Sequence, residues 1–245
     1  MPERRKESCY NLDEPADLDA LADALRTWEP HLLFYRPLRN ALLFEPDGTL
    51  YAVAMRDGMT FETDRRSVVV NLGDMIVLPR GHGVDAGDDV DLIAFCHDGP
   101  PPDHFRERFI QVWGFDHRPA PIPGLTSSVL HDVVPLREAR LRVPYAVIDV
   151  SSAEENVVPA SSDFLLLVAL MGEVHVDVVL GQTATTVDLP ARFAFLVHPG
   201  GHCRLSGSGR VGVLTVLNDL ANEARVESSL QTGAGPEYVP ASDHP

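Results

Sequence analysis

Gly73-Asp74-Met75-Ile76-Val77-Leu78-Pro79-Arg80-Gly81-His82 decides how this chain folds. Gly-Asp opens a turn, using the conformational freedom of glycine and the local hydrogen bonding of aspartate. Four large apolar residues follow and a proline stops them. That run is too short for a helix and suits a buried strand. The same ending returns in Phe193-Ala194-Phe195-Leu196-Val197-His198-Pro199-Gly200-Gly201-His202. Two copies of strand, Pro-x-Gly-His and polar turn predict two related β-units in one chain.

Working outward, the first block runs over 31–98. Ala41 to Phe44 is apolar, Leu50 to Met55 reads as a strand, and Arg56-Asp57-Gly58 as a tight hairpin turn. Met59 to Thr63 alternates, Ser67 to Val70 returns, Asp85 to Asp89 turns, and Val90 to Phe95 is the last strand. The second block, 145–218, repeats this grammar: Phe164 to Leu170 is a strand, Met171-Gly172 a turn, and Glu173 to Val178 alternates strictly. Gly181-Gln182 turns and Thr183 to Leu189 returns. Val211 to Leu217 closes the block after a Ser206-Gly207-Ser208-Gly209 turn. Setting Gly58 on Gly172 and Pro79 on Pro199 puts the two blocks in register.

Around them, residues 1–30 hold a tail, expected to be disordered over about its first ten residues, and a helix. Leu18, Leu21, Ala22, Leu25 and Trp28 recur at helical spacing, Pro15 suits the first turn, Asp13 or Glu14 the cap, and Pro30 closes it. Residues 99–144 form a proline- and aromatic-rich connector, with a short helix expected over Leu130 to Leu141. Phe105, Phe109, Trp113 and Phe115 are expected to fill the groove between the blocks. Residues 219–245 are expected to give a final helix and a loose tail. The fold class is therefore all-β in the main, with short connecting helices.

A formal charge of −16 argues against a nucleic-acid surface, which needs a basic stripe, and disfavours anionic membranes. Lys6 is the only lysine and lies in the polar tail, which disfavours Schiff-base chemistry. The three cysteines, Cys9, Cys96 and Cys203, are widely spaced and suit a reducing compartment. The first ten residues lack the apolar core of a signal peptide, so the expected location is the cytoplasm.

The grammar resembles the cupin superfamily, most clearly from Leu50 through Val84, and both blocks together resemble a bicupin of two jelly-roll β-barrels. Such proteins place a His-x-His pair and a Glu before the hairpin glycine and a last His after Pro-x-Gly. Residues i and i+2 of a strand share one face, so both reach a metal. Counted back from Gly58, Tyr51 takes the place of the Glu and Glu45 and Asp47 the places of the two histidines. The second block offers Leu165, Ser161 and Pro159 there. Val84 and Arg204 stand where the last histidine belongs, and His82 and His202 reach it only across a two-residue deletion. The resemblance thus implies no metal cofactor, with Fe or Mn held by His82, Glu45 and Asp47 as the alternative. It also implies a homodimer.

His82, His202 and Tyr51 are the candidate acid–base groups, and Arg56, His198 and Arg204 the candidate ligand-binding ones. Each has a plainer reading as a turn or surface residue. His175 and Asp177 share a strand face and look like two ligands, but Val174, Val176 and Val178 form the expected core face, which turns the pair to solvent. Three functions follow as expectations. One is a metal-independent isomerase, cyclase or lyase acting on a small polar or anionic metabolite. The second is a non-catalytic small-molecule-binding or oligomerisation protein, and the third an Fe- or Mn-dependent oxygenase.

Overall fold

The computed structural model describes residues 9–30, 32–36, 49–63, 66–78, 85–86, 90–97, 111–113, 130–132, 145–151, 156–158, 160–161 and 163–216. In chain order its elements are β1 (Cys9–Asn11), α1 (Pro15–Trp28), β2 (Leu32–Tyr35), β3 (Thr49–Ala54), β4 (Met59–Thr63), β5 (Arg66–Val70), β6 (Met75–Leu78), β7 (Asp85–Ala86) and β8 (Leu92–His97). There follow β9 (Gln111–Trp113), β10 (Leu130–Asp132), β11 (Tyr145–Val150), β12 (Asn156–Val158), β13 (Phe164–Leu180), β14 (Thr183–Pro190), β15 (Phe193–Val197) and β16 (His202–Val216). The chain is mainly β, as its sequence predicts. No helix among the described residues is long and apolar enough to cross a membrane.

The first block is built from two sheets, β2-β8-β3-β6-β9, in which β9 comes from the connector, and β5-β4-β7. The second block is one large antiparallel sheet, β1-β15-β13-β16-β11-β10, with β14 beside β13 and β12 beside β16. Strand alternation sorts the side chains into three apolar layers. On β3, Leu50, Ala52 and Ala54 face the interior of the first block with Phe61, Ile76 and Leu92. Their neighbours Tyr51, Val53 and Met55 face the other way, into a layer shared by both blocks. On β13, Leu166, Val168 and Leu170 enter that shared layer, while Leu165, Leu167 and Ala169 face the interior of the second block. Helix α1 buries Leu21 and Leu25 in the shared layer. Each such aliphatic side chain is worth about 1.5–3 kcal/mol when fully buried.

Past Ala169 the pairing with β16 slips at a bulge, between Ala169 and Met171. One extra residue reverses the parity of the strand, so Val174 and Val176, not their odd-numbered neighbours, now face the interior. These far halves of β13 and β16 share one apolar cluster with the near halves of the same strands, so the sheet folds over on itself at the bulge. Gly172 holds it there with φ +75, and a Cβ at that position would lie 2.2 Å from the Ser208 carbonyl oxygen.

Several expectations change. Met171-Gly172 lies just past the bulge inside a 17-residue strand and is not a turn between two strands. Arg56-Asp57-Gly58 is not a hairpin, because β3 and β4 belong to different sheets and the bend carries the chain from one to the other. Cys9 and Tyr10 lie in a strand paired with β15, where Tyr10 is buried in the shared layer. Leu130–Asp132 is strand rather than the start of a helix, because it pairs with β11. Asp85–Ala86, expected in a turn, pairs with β4. The described strands form open sheets and do not close into barrels, since β1 and β10 end one path and β2 and β9 another. Residues 1–8, 133–141 and 217–245 lie outside the described residues, as do Phe105, Phe109 and Phe115.

Candidate functional site

The Gly-Asp turn of the opening stretch forms as its residues dictate. Gly73 takes φ +87, and the Asp74 carboxylate accepts the Asn71 N–H at 2.8 Å, tying the turn to itself. The Leu72 N–H donates to Asp57 at 2.9 Å, so the two turns of the first block brace each other. From the second block the buried Tyr145 hydroxyl donates to the Gly73 carbonyl at 2.9 Å. Burial first, then the nearby Asp74, raises the pKa of that phenol well above its ordinary value, so it stays a hydrogen-bond donor.

Turns and strands then place the candidate residues. Tyr51 is fully buried in the shared layer, beside Phe95 and Val53, not in the interior of its own block. Arg56 is half-buried in the bend after β3. His198 is exposed, just past β15, with its ring 4.9 Å from that of Phe164, which in turn meets Trp28 edge-on at 4.8 Å. His202 and Arg204 lie on β16 between inward-facing Cys203 and Leu205, so they belong to the outer face of the second block. The expectation of a histidine working inside that block therefore fails for His202: strand alternation turns it outward. His82, Glu45 and Asp47 lie outside the described residues.

The outer face that carries His202 and Arg204 is polar and organised in rows. His175 faces Asp188, their side chains 2.7 Å apart at Nδ1. Asp177 faces Arg204 on one side and accepts the Thr186 hydroxyl at 2.6 Å on the other. His175 and Asp177 thus look outward, as their valine neighbours predict, and Val174 and Val176 are buried.

A second polar cluster has no trace in local sequence. Arg192, in the turn before β15, sends Nε and Nη2 to the Asp13 carboxylate at 2.7 and 2.8 Å and Nη1 to Asp91 at 3.0 Å. Arg36 bonds Asp13, the Leu12 carbonyl and Asp91, the last at 2.6 Å. The hydrogen bond from Arg192, with Arg36 adding to it, holds the Asp13 carboxyl down at about 2. Two guanidiniums and two carboxylates balance, which makes this a tie between the N-terminal segment and both blocks. Its members are up to 179 residues apart, so only the fold brings them together.

The metal question can be put to the strands directly. The interior positions of β3 are Leu50, Ala52 and Ala54, and those of β13 and β16 are aliphatic apart from Cys203. Burial pushes the Cys203 thiol up to about 12, which disfavours the thiolate a metal needs. Among the described residues no three His, Cys, Asp or Glu side chains converge. These strands do not fit an ion held by i, i+2 ligands.

No family model and no curated protein sequence matches the chain. Solved structures do. The E. coli protein Ylba aligns over 77% of this chain and 78% of its own at 8% identity, with a TM-score of 0.57. Streptomyces albus HEPD, solved with its substrate 2-hydroxyethylphosphonate and Fe(II) bound, aligns over 84% and 67% at 13% identity and a TM-score of 0.54. A cupin 2 conserved barrel domain protein from Leptotrichia buccalis aligns over 78% and 90% at 12% identity and 0.45, too low to carry weight. The chain shares its overall β fold with Ylba and HEPD over most of its length. At such identities the likeness concerns the fold alone, since one fold hosts many chemistries.

Proposed function

We propose that this chain binds a small polar or anionic metabolite at one end of the first block, and that His82 serves there as acid or base in a metal-independent isomerase, cyclase or lyase reaction. Strand register carries the reading. Leu50 pairs with Leu78 and Thr49 with His97, so β3 begins where β6 and β8 end. In sequence, Glu45 and Asp47 precede β3 and Arg80 and His82 follow β6, which is why we assign them to that end. His97, at the end of β8, adds an imidazole-bearing residue to that end, which its position outside both repeated motifs hid from sequence reasoning. Arg56 follows the opposite end of β3 and drops out of the set. The second block supports the reading by contrast, because its described interior positions offer leucine, isoleucine, valine, phenylalanine, alanine and a suppressed thiol.

The test is a metabolite screen by thermal shift on the full chain, repeated on His82→Ala and His202→Ala, with metal analysis of the wild type. The expected result is a stabilising ligand lost in His82→Ala, kept in His202→Ala, and no stoichiometric metal. Loss in His202→Ala alone would move the site to the second block. Stoichiometric iron or manganese released by His82→Ala would instead support the oxygenase reading.

A further inference from the structure

Three guanidinium nitrogens converge on the Asp13 carboxylate: Arg192 Nε and Nη2 at 2.7 and 2.8 Å, and Arg36 Nη1. Such a fork on two oxygens is how arginine holds a carboxylate or phosphate ligand. We propose that Arg36 and Arg192 form an oxyanion seat at the seam of the two blocks, that Asp13 occupies it, and that a phosphate group displaces Asp13 and loosens the N-terminal segment there.

The order of exposure decides which member can leave. The side chains of Arg36 and Asp91 are 13% and 19% exposed, that of Arg192 34%, and that of Asp13 47%. Asp13 is thus the outermost, and its departure opens the seat to solvent. What remains is two guanidiniums against the Asp91 carboxylate, a net charge of +1 in a chain of −16. Half-buried charge without a counter-charge is costly, so the vacated seat favours uptake of an anion. The Asp13 carboxylate brings one negative charge. A phosphate group near pH 7 brings about 1.5–2, with three acceptor oxygens for the same donors.

Two further observations separate this seat from an ordinary surface ion pair. Arg192 sits at φ +70, a strained position that glycine fills freely, so what an arginine adds there is its fork. Its N–H donates to the Ala169 carbonyl at 2.8 Å and its carbonyl accepts the Leu12 N–H at 2.9 Å, so the backbone also fixes where the fork stands. The N-terminal segment, for its part, is held on either side of Asp13: β1 pairs with β15 before it, and α1 buries Leu21 and Leu25 after it. Asp13 can therefore leave its seat with α1 in place. Arg36 follows β2 and Asp91 precedes β8, at the end of the five-stranded sheet where Ala54 faces Leu92. Thr49 and His97 mark the opposite end, so the seat is separate from the metabolite site proposed above. The Met55 N–H donates to the Asp91 carbonyl at 2.8 Å, which brings the next residue, Arg56, to the end that holds the seat.

The experiment compares inorganic phosphate with chloride at equal ionic strength, on the full chain and on Asp13→Asn and Arg192→Lys, each checked by circular dichroism. In wild type, amide hydrogen exchange over residues 9–14 should run up to about fivefold faster in phosphate. Phosphate otherwise strengthens burial, so acceleration confined to this segment has the opposite sign to a general salt effect. Asp13→Asn leaves the seat without its carboxylate, and its melting temperature should rise in phosphate by about 2–4 °C more than that of wild type. Arg192→Lys keeps the charge but not the fork and should lose both responses. Glycerol phosphate in a parallel series assigns the source: a response to both compounds points to the phosphoryl group of a metabolite, and a response to inorganic phosphate alone to the free ion. Exchange over 9–14 that is unchanged or slowed in phosphate overturns the proposal. So does an Asp13→Asn variant that gains no more than wild type, or an Arg192→Lys variant that keeps both responses.

Discussion

Gly58 and Gly172 occupy matching places in the two blocks and have nearly the same backbone, φ +71 and φ +75. At Gly58 the chain leaves one sheet for another, and a Cβ there would meet nothing within 4 Å. At Gly172 the strand continues through a bulge and folds the sheet over, with the Ser208 carbonyl oxygen 2.2 Å from where a Cβ would be. One local rule, a left-handed glycine after an apolar strand, serves two tertiary outcomes. The difference lies in what the next strand pairs with: β4 finds β5 and β7, whereas the far half of β13 stays on β16.

The sharpest way to break this comparison is substitution at the two glycines. Gly172→Ala should cost about 3 kcal/mol or more, from backbone strain plus a contact with main chain that cannot move aside. Gly58→Ala should cost about 1 kcal/mol, from strain alone. Equal costs by chemical denaturation would mean that the bulge does not depend on close approach.

Next come the adjacent residues Leu166 and Leu167, each fully buried but in different layers. Alanine at either should cost about 2–5 kcal/mol. They should part in hydrogen exchange: Leu166→Ala should loosen β3 and β8 as well as the second block, and Leu167→Ala the second block alone. Tyr145→Phe, which removes the hydroxyl joining the second block to Gly73, should cost about 1–2 kcal/mol by the same denaturation measurement.

The smaller effects concern Arg192, the only non-glycine residue at positive φ among the described residues. Arg192→Gly and Arg192→Ala both lose the ion pairs, but only glycine relieves the backbone. The glycine variant should be the more stable by about 1 kcal/mol in thermal or urea melts.

Asp13 gives the matching dependence on pH. Its folded pKa is about 2, below the ordinary 3.8. Its contribution is therefore present above about pH 4 and lost as pH falls through about 2. Because its side chain is 47% exposed, that contribution should be no more than about 1 kcal/mol. Asp13→Asn should lower stability at pH 7 and flatten the acid limb between about pH 4 and pH 2 in denaturation midpoints.

Much of this architecture was legible in the residues. The period-two alternation of Glu173 to Val178, the Gly-Asp turn and the proline-stopped strands are short-range signals, and strands form where they indicate. The helix was legible too, because Leu18, Leu21, Leu25 and Trp28 mark one face. The candidate site was less so. Tyr51 reads as a polar group on a strand, yet its face is set by which sheet lies above it, and that sheet comes from the other half of the chain.

The sequence by itself determined that this would be a mainly β protein with an N-terminal helix, because hydrophobic period and turn chemistry act over a few residues. Only the tertiary structure decided that β13 runs on through a bulge past Ala169, that His202 and Arg204 face outward, and that Asp13, Arg36, Asp91 and Arg192 meet. Those outcomes depend on strand pairing and parity across long separations, where one inserted residue reverses every side chain that follows.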